Sequence, residues 1–311
     1  MVKRKRTLRD DHSPHYAFPG PMIRGLLRKY WDSAEAKMTS RQGRYLLALV
    51  SSMTLRLIYH KRCAVSWRDD AWEYRWPDAT IISPGILFSK ARPEDWGSLP
   101  GATIQDTFLW EYLPENGDVI FDVGAGFGTE LLTFSRLVGP TGKVYAFEAH
   151  PKTFSLLKRV YTLNHLSNVE PVEAAVTDES GWTTMSDDGD SLSRSVIGST
   201  TLRVPSITID EFVASRGVSH IDFLKMNIEG AERLAVLGIT DAAKLVDHVC
   251  ISCHDFLGDP KKKTKDEIRQ WLTDQGFSVS EQPNSPWLSV RDFLYGKSEF
   301  RSPSVHPRGE T

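Results

Sequence analysis

Cysteine is scarce in this chain. Its 311 residues hold three, Cys63, Cys250 and Cys253. Three thiols are too few, and odd in number, so a disulfide-framed secreted scaffold is excluded. Cys250 and Cys253 have C-x-x-C spacing, but "VCISCHDF" reads as a strand. Strand alternation puts the two thiols on opposite faces, which removes a shared redox or zinc role. A reducing cytoplasm fits this usage. Long apolar runs are also missing. The strongest, "YLLALVSSMTLRLIY" at residues 45–59, is interrupted by Arg56. It falls short of the roughly 20 residues that a membrane span needs and reads as a buried or interfacial helix. The basic start "MVKRKRTLRDDHS" has no apolar segment directly behind it, so it is not expected to act as a secretory signal. Internal repeats and low-complexity segments are absent.

What is present is an uneven charge distribution. The whole chain carries a formal charge of -2, which names no partner. Residues 1–62, however, hold 14 Lys/Arg and 4 Asp/Glu, a net of +10. Residues 63–311 hold 24 and 36, a net of -12. A basic N-terminal part thus precedes an acidic main domain. Such a segment is attracted to an anionic surface of lipid or nucleic acid, or it is a solvated basic face.

Three divisions are expected. Residues 1–100 form a basic, mainly helical extension, 101–300 the main domain, and 301–311 a disordered tail. Within the extension, residues 1–20 lack any period. Met22, Ile23, Leu26, Leu27, Tyr30 and Trp31 recur at helical spacing beside Arg24, Arg28 and Lys29, which predicts a basic amphipathic helix over 22–37. A second helix covers about 42–60. "AWEYRW" and "ATIIS" predict a hairpin around Pro77-Asp78. "TIQDTFLWEYLP" predicts a helix ending at Pro114. From residue 118 strands and helices alternate, among them "DVIFDV", "GTELLTFSRLV", "KVYAFEA" and "VEPVEAAV". That alternation means an α/β fold with a mostly parallel, doubly wound sheet.

In such a sheet the ligand sits beyond the carboxyl ends of the strands. "FDVGAGFG" (121–128) lies at the end of the first core strand and opens its helix. Gly124 and Gly126, with Ala125 between them, allow close backbone approach to a ligand, and Gly128 allows helix to pack on strand. Dinucleotide sites prefer G-x-G-x-x-G. Here the spacing is G-x-G-x-G, and Asp122 precedes it. A carboxylate there is awkward beside a pyrophosphate. It suits a ligand carrying an ammonium and a sulfonium, namely S-adenosyl-L-methionine. Glu148 ends the next strand, 20 residues after Gly128. An acid at that place accepts hydrogen bonds from ribose hydroxyls, with Ala149 beside it. "PVEAAV" ends the third strand, where Glu173 or the backbone of Ala174 would meet the adenine.

"FDVGAGFGTE", "VYAFEAHPKTFSLLKRVYTLNHLSNVEPVEAAVTDESG", "SITIDEF" and "IDFLKMNIEGAE" together resemble the FkbM-type methyltransferases. The resemblance covers roughly residues 117–255. It implies a class I, Rossmann-like methyltransferase fold with a seven-stranded sheet and S-adenosylmethionine as cofactor. It also implies methyl transfer to an oxygen, usually a hydroxyl of a sugar or natural product. Residues 1–100 do not match the family motif. One departure is Asn227, where many relatives have aspartate. Asparagine keeps the hydrogen-bonding shape and removes a charge, so a divalent metal is not expected there. Asn227 can hold the substrate or the methionine end of the cofactor. Glu229 and Glu232 follow it and open a helix, where each can interact with the N-terminal dipole. For Glu229 a site role stands beside that cap role; for Glu232 the cap role leads.

Methyl transfer from a sulfonium to oxygen neutralises charge as it proceeds. Alignment should therefore supply most of the gain, roughly 7–11 kcal/mol. A general base would add about 10²–10⁴-fold. His254 is the first candidate base, just past a core strand on the same rim as Asn227, with Asp255 as its orienting group. Lys225 shares a strand face with Asn227 and is the second candidate. His150 and His220 are expected at the surface, and His165 at a helix end. The polar stretch 178–203 reads as a substrate loop or as a solvated strand pair, with Trp182 and Ser193 the suggestive residues.

The expected function is O-methylation of a sugar hydroxyl, in a glycolipid or other glycosylated product. The location is cytoplasmic, with residues 1–62 offering peripheral contact with an anionic inner-membrane surface. Two alternatives stand beside it: a nucleic-acid methyltransferase, and a non-catalytic S-adenosylmethionine-binding protein. Against nucleic acid, there is no N/D-P-P-Y/F motif and no cysteine in a Pro-Cys setting.

Overall fold

A computed structural model describes residues 33–57, 62–86, 103–187, 201–255 and 263–300. The expected disordered start, most of the helix over 22–37, Ser193 with its neighbours, and the tail lie outside them.

The central element is a seven-stranded sheet. Its strands are β4 (Val119–Val123), β5 (Lys143–Phe147), β6 (Val169–Val172), β10 (Ile221–Met226), β11 (Val246–Ser252), β12 (Phe277–Ser280) and β13 (Phe293–Ser298). The spatial order is β12-β13-β11-β10-β4-β5-β6. β5, β6, β10 and β11 run parallel to β4, whereas β13 is antiparallel to both β11 and β12. Helices α2 (Leu131–Val138), α3 (Pro151–Leu163), α4 (Ile209–Arg216), α5 (Glu232–Leu237) and α6 (Lys265–Asp274) connect the strands. The chain runs outward from β4 to β6 and then returns to β10 on the other side. The reversal leaves a crevice at the carboxyl ends of β4 and β10, where α/β sheets bind ligands. β13 is the single reversed strand, and the order is that of the doubly wound, mostly parallel sheet expected from the sequence.

The strands are apolar on both faces because helices cover both. Alternation splits them into two cores. Ile120, Phe223, Cys250 and Tyr295 belong to one, and Phe121, Leu224, Val249 and Leu294 to the other. Cys253 packs in the second core, across the sheet from Cys250.

The N-terminal part shares the first core. Helix α1 (Arg41–Leu57) buries Leu47, Ala48, Ser51 and Leu55. It lies on a three-stranded antiparallel sheet of β1 (Ala64–Arg68), β2 (Ala71–Arg75) and β3 (Thr80–Ser83). A two-residue turn joins β1 to β2, with Asp69 and Asp70 both in the left-handed region that such hairpins require. Asn164, at the end of α3, donates to the Thr80 carbonyl and accepts from its N–H, each at 2.7 Å. Residues 33–37 are helical. Glu35 there accepts from Trp72 Nε1 at 2.5 Å and from the Ile86 N–H at 2.9 Å.

Two local expectations change. Residues 104–109 form turns, not a helix. Asp106 accepts both the N–H and the hydroxyl of Thr103, a local alternative to helical bonding. "VEPVEAAV" is not one strand. It breaks at Glu173 and Ala174, after which β7 (Ala175–Val176) joins β8 (Gly181–Ser186) and β9 (Thr201–Ile207) in a separate small sheet. The β8–β9 pair realises the strand-pair reading of residues 178–203.

Candidate active site

The crevice is built from four strand ends. Asp122 on β4 and Lys225 on β10 are lateral neighbours in register. Lys225 Nζ donates to Asp122 Oδ1 at 2.7 Å and to the Gly124 carbonyl at 2.8 Å. Asp122 is 0% exposed and Lys225 1%. The ammonium also lies 4.9 Å from the centre of the Phe108 ring. Burial opposes the charged amine, but Asp122 and Glu130 outweigh it and hold Lys225 above its ordinary pKa. This sealed ammonium ties β10 to the glycine loop and does not face the open rim, unlike the expectation for a catalytic lysine. The second oxygen of Asp122, Oδ2, is buried and has no hydrogen-bond partner.

The glycines divide the work. Gly124 has φ +77, and a Cβ there would overlap the Asn227 carbonyl oxygen of the neighbouring strand end. Gly126 has φ +57, and a Cβ there would meet nothing, so its surroundings are open. Its N–H donates to Glu148 Oε2 at 3.0 Å. Glu148 Oε1 accepts from the His150 N–H at 2.8 Å. Burial pushes the Glu148 carboxyl up, against those two amides. Ala125 is buried and Gly128 sits under Leu157 of α3. Ala149 packs beside the small sheet, and Ala174 is buried at the end of β6. Glu173 is exposed.

On the β10 and β11 side two non-glycine residues adopt left-handed backbone: Glu229 and His254, each with φ +56. That conformation costs energy in a non-glycine residue and concentrates at functional sites. Here it brings an imidazole between two carboxylates. His254 Nε2 lies 3.4 Å from Glu229 Oε2, and Nδ1 lies 3.2 Å from Glu232 Oε1. Glu232 is fully buried and also accepts from the Ile228 and Gly230 N–H groups at 3.0 and 2.9 Å. Burial disfavours a charged ring, but the two glutamates outweigh it and push His254 up to about 10. The ring is therefore an imidazolium near neutral pH. Asn227 is half-buried on the same rim, its N–H bonded to the Val123 carbonyl at 3.0 Å.

Three further expectations are corrected. Asp255 does not orient His254; its Oδ1 accepts from the Thr264 N–H at 2.8 Å at the start of α6. His150 is not at the surface; it is 1% exposed and lies 3.0 Å from Asp187. His220 is half-buried between Asp222 and Asp247. The approach of Glu232 Oε1 to His254 Nδ1, a charge contact at 3.2 Å, was not evident, because it needs the left-handed turn at Glu229. Spacing alone suggested a helix cap. Phe108 over Lys225 was missed for a similar reason, since it comes from a turn read as helix.

A model of the methyltransferase FkbM domain matches residues 122–279 of this chain. The chain belongs to the FkbM methyltransferase domain family. The matched segment runs from the glycine-loop acid to β12 and includes every strand end described above. Among relatives, the hexuronic acid methyltransferase AglP of Haloferax volcanii is 27% identical over 190 residues, covering 55% of this chain and 73% of that protein. The 31-O-demethyl-FK506 methyltransferase FkbM of Streptomyces tacrolimicus is 27% identical over 208 residues, covering 52% and 74%. A crystal structure of methyltransferase FkbM from Methylobacillus flagellatus KT is 18% identical, with a TM-score of 0.41 over 58% of this chain. This chain spans 43% of that structure's length. For this FkbM-family chain the N-terminal sheet and α1 lie outside the matched segment.

Proposed function

We propose that this chain is an S-adenosylmethionine-dependent O-methyltransferase acting on a sugar hydroxyl, in a glycolipid or another glycosylated product. The observation that carries the reading is the Glu229–His254–Glu232 cluster, held by left-handed backbone at the open rim beside the glycine loop. The kinship with a hexuronic acid methyltransferase supports a sugar acceptor.

The residues present suit the cofactor. Asp122 Oδ2 is a buried acceptor without a donor, which a ligand ammonium satisfies. Glu148 uses one lone pair on each oxygen for backbone and retains acceptor capacity for two ribose hydroxyls. The open surroundings of Gly126 leave room for the ligand. Ala149 and the Ala174 backbone flank the adenine, and exposed Glu173 is the weaker partner. When bound, the cofactor supplies a methyl group on a sulfonium.

The chain's own residues do the rest. Asn227 offers a donor and an acceptor at the rim and holds the acceptor sugar or the methionine end. Glu229, a quarter exposed, accepts the hydroxyl proton. His254 already carries its proton, so it orients Glu229 instead of acting as the base. Glu232 fixes the ring from behind. Lys225 positions the glycine loop through Asp122. Release of S-adenosylhomocysteine with a panel of uronic-acid and neutral glycosides tests the reading. Turnover dependent on the glycoside is expected. Calorimetry showing no heat with S-adenosylmethionine, or tight NADH uptake in its place, would end it.

The same reading includes contact with an anionic bilayer. Helix α1 is apolar on two opposite sides. Leu47, Ala48 and Leu55 face the core, while Tyr45, Leu46, Leu49, Val50, Met53 and Leu57 are 40–65% exposed. A contiguous exposed stripe of this kind marks an interaction surface. Arg56 lies at its edge by helical spacing, and residues 1–62 carry the net charge of +10. Both features favour anionic lipid. No helix among the described residues is long and apolar enough to cross a membrane. Flotation with phosphatidylserine vesicles tests this. Leu49→Glu/Leu57→Glu should abolish binding. Concentration-dependent dimerisation lost in the same variant would instead assign the stripe to a second copy.

A further inference from the structure

The opposite rim of the sheet carries a second ionic cluster, which the proposed methyl transfer does not use. It is some five residues back along β10, about 16 Å from Asn227 at strand rise. His220 and Asp222 have the i, i+2 spacing that puts both side chains on one face of a strand. Asp247 opens the neighbouring β11. Asp222 and Asp247 lie between the registered pairs Ile221–Val246 and Phe223–His248, so they are lateral neighbours on that face. Like charges directly across a sheet repel. Both are buried, at 2% and 6% exposure.

One imidazole meets both carboxylates. His220 Nε2 lies 3.0 Å from Asp222 Oδ1 and 3.3 Å from Asp247 Oδ2. The Val119 N–H donates to Asp222 Oδ2 at 2.7 Å. Asp247 Oδ1 is buried and has no hydrogen-bond partner. A protonated ring would bring one positive charge to two negative ones, with a single N–H aimed at two acceptors. Asp247 Oδ1 would still be buried without a hydrogen-bond donor. Buried charge of that kind calls for a counter-ion.

The geometry points to a divalent transition-metal site formed by His220, Asp222 and Asp247, with zinc as the ion that best suits one imidazole and two carboxylates. Zinc bonds to nitrogen and oxygen are about 2.0–2.2 Å, which places donors of a tetrahedral site about 3.3 Å apart. The two donor separations at Nε2 have that size. The three donor atoms lie within 4.8 Å of one another. An ion in place of the ring's Nε2 proton would bind neutral imidazole, neutralise both carboxylates and give Asp247 a cationic partner. His220 is 22% exposed at its side chain, which leaves an entry path and a position for water. The ion would clamp the amino ends of β10 and β11, whose carboxyl ends carry Lys225, Asn227 and His254. Its role is structural and separate from methyl transfer.

The test uses the full chain, stripped with a chelator and reloaded. One zinc per chain is expected by elemental analysis after desalting, with a rise of several degrees in Tm on reloading. Asp247→Asn and His220→Ala should each lose the bound zinc and the Tm rise. Cobalt(II) should give a visible spectrum free of thiolate charge transfer, which separates this site from the three cysteines. Zinc retained at full stoichiometry in Asp247→Asn overturns the proposal. So does a wild-type chain that takes up no zinc while Asp247→Asn, freed of repulsion, is the more stable protein. Methyl turnover is a separate readout, so a failed site would leave the proposed function standing.

Discussion

Two buried ionic clusters share the carboxyl rim of one sheet, and they are built differently. Asp122 and Lys225 are registered neighbours on ordinary strand backbone, nearly inaccessible to solvent. His254, Glu229 and Glu232 meet only because two residues take up left-handed backbone, and Glu229 reaches solvent. A strained, partly open cluster persists only where the surrounding structure over-determines it. On the proposed function, the difference separates a group that holds the ligand loop in place from groups that meet the substrate. On the same reading an acid paired with a base at 2.7–3.4 Å serves stability alone in one place and chemistry as well in the other.

The contrast is broken most severely at Lys225. Lys225→Met removes the cation and leaves Asp122 buried without a counter-charge, which costs about 3–5 kcal/mol. Urea unfolding should show that loss. The double change Lys225→Met/Asp122→Leu should recover most of it, because a buried pair replaced by apolar groups is often neutral. If Lys225→Met folded with wild-type stability and lost only turnover, the division drawn between the two clusters would be wrong. Glu229→Gln should do the reverse. Losing a proton acceptor lowers kcat by about 10²–10⁴-fold, and Tm should stay within a few degrees because the side chain is partly exposed. S-adenosylhomocysteine release and thermal melting together decide it.

Cofactor affinity gives a smaller effect that sharpens the same contrast along β5 and β6. Glu148→Gln weakens hydrogen bonds to a charged acceptor, each worth about 1.5–3 kcal/mol. S-adenosylmethionine affinity should fall about tenfold to a hundredfold by calorimetry. Glu173→Gln should change it less than about threefold, since hydrogen bonds to an exposed acid compete with water. Equal losses at both positions would place the adenine differently.

Much of the central sheet was legible in the sequence because its signals are local. Apolar strands, a glycine loop and Pro151 at a helix start each act within a few residues. Cys250 and Cys253 were placed on opposite faces by alternation alone. The β1 strand escaped notice because its turn, Asp69-Asp70, has no glycine to mark it. The turns at 104–109 were read as helix because their apolar spacing mimics one. At the site, the side-chain partners were the illegible part. Which carboxylate faces His254 depends on a left-handed residue at 229 that no period announces. That Lys225 is sealed depends on Phe108, over a hundred residues away. The contact of His150 with Asp187 depends on the small sheet, whose departure from the main sheet at Glu173 was itself unread.

The gentlest test is pH, and its sign follows from His254. The ring's ordinary value is 6.5, and the two glutamates push it up to about 10 in the folded chain. Below about 6.5 the ring is protonated folded and unfolded, and its ion pairing contributes fully to stability. As pH rises above that value the unfolded ring gives up its proton while the folded ring keeps it, so the contribution declines. It is gone once pH passes about 10 and the folded ring is neutral. Tm should therefore fall between pH 6.5 and 10, and His254→Gln should fall less steeply, the difference between the two curves removing the other groups that titrate there. The same ring sets the alkaline limb of turnover. An imidazolium that orients Glu229 makes kcat decline as pH approaches 10, whereas a neutral histidine acting as base makes kcat rise over that range. A rising limb in the wild type, abolished in His254→Gln, would return the proton to the imidazole and leave Glu229 as its orienting partner.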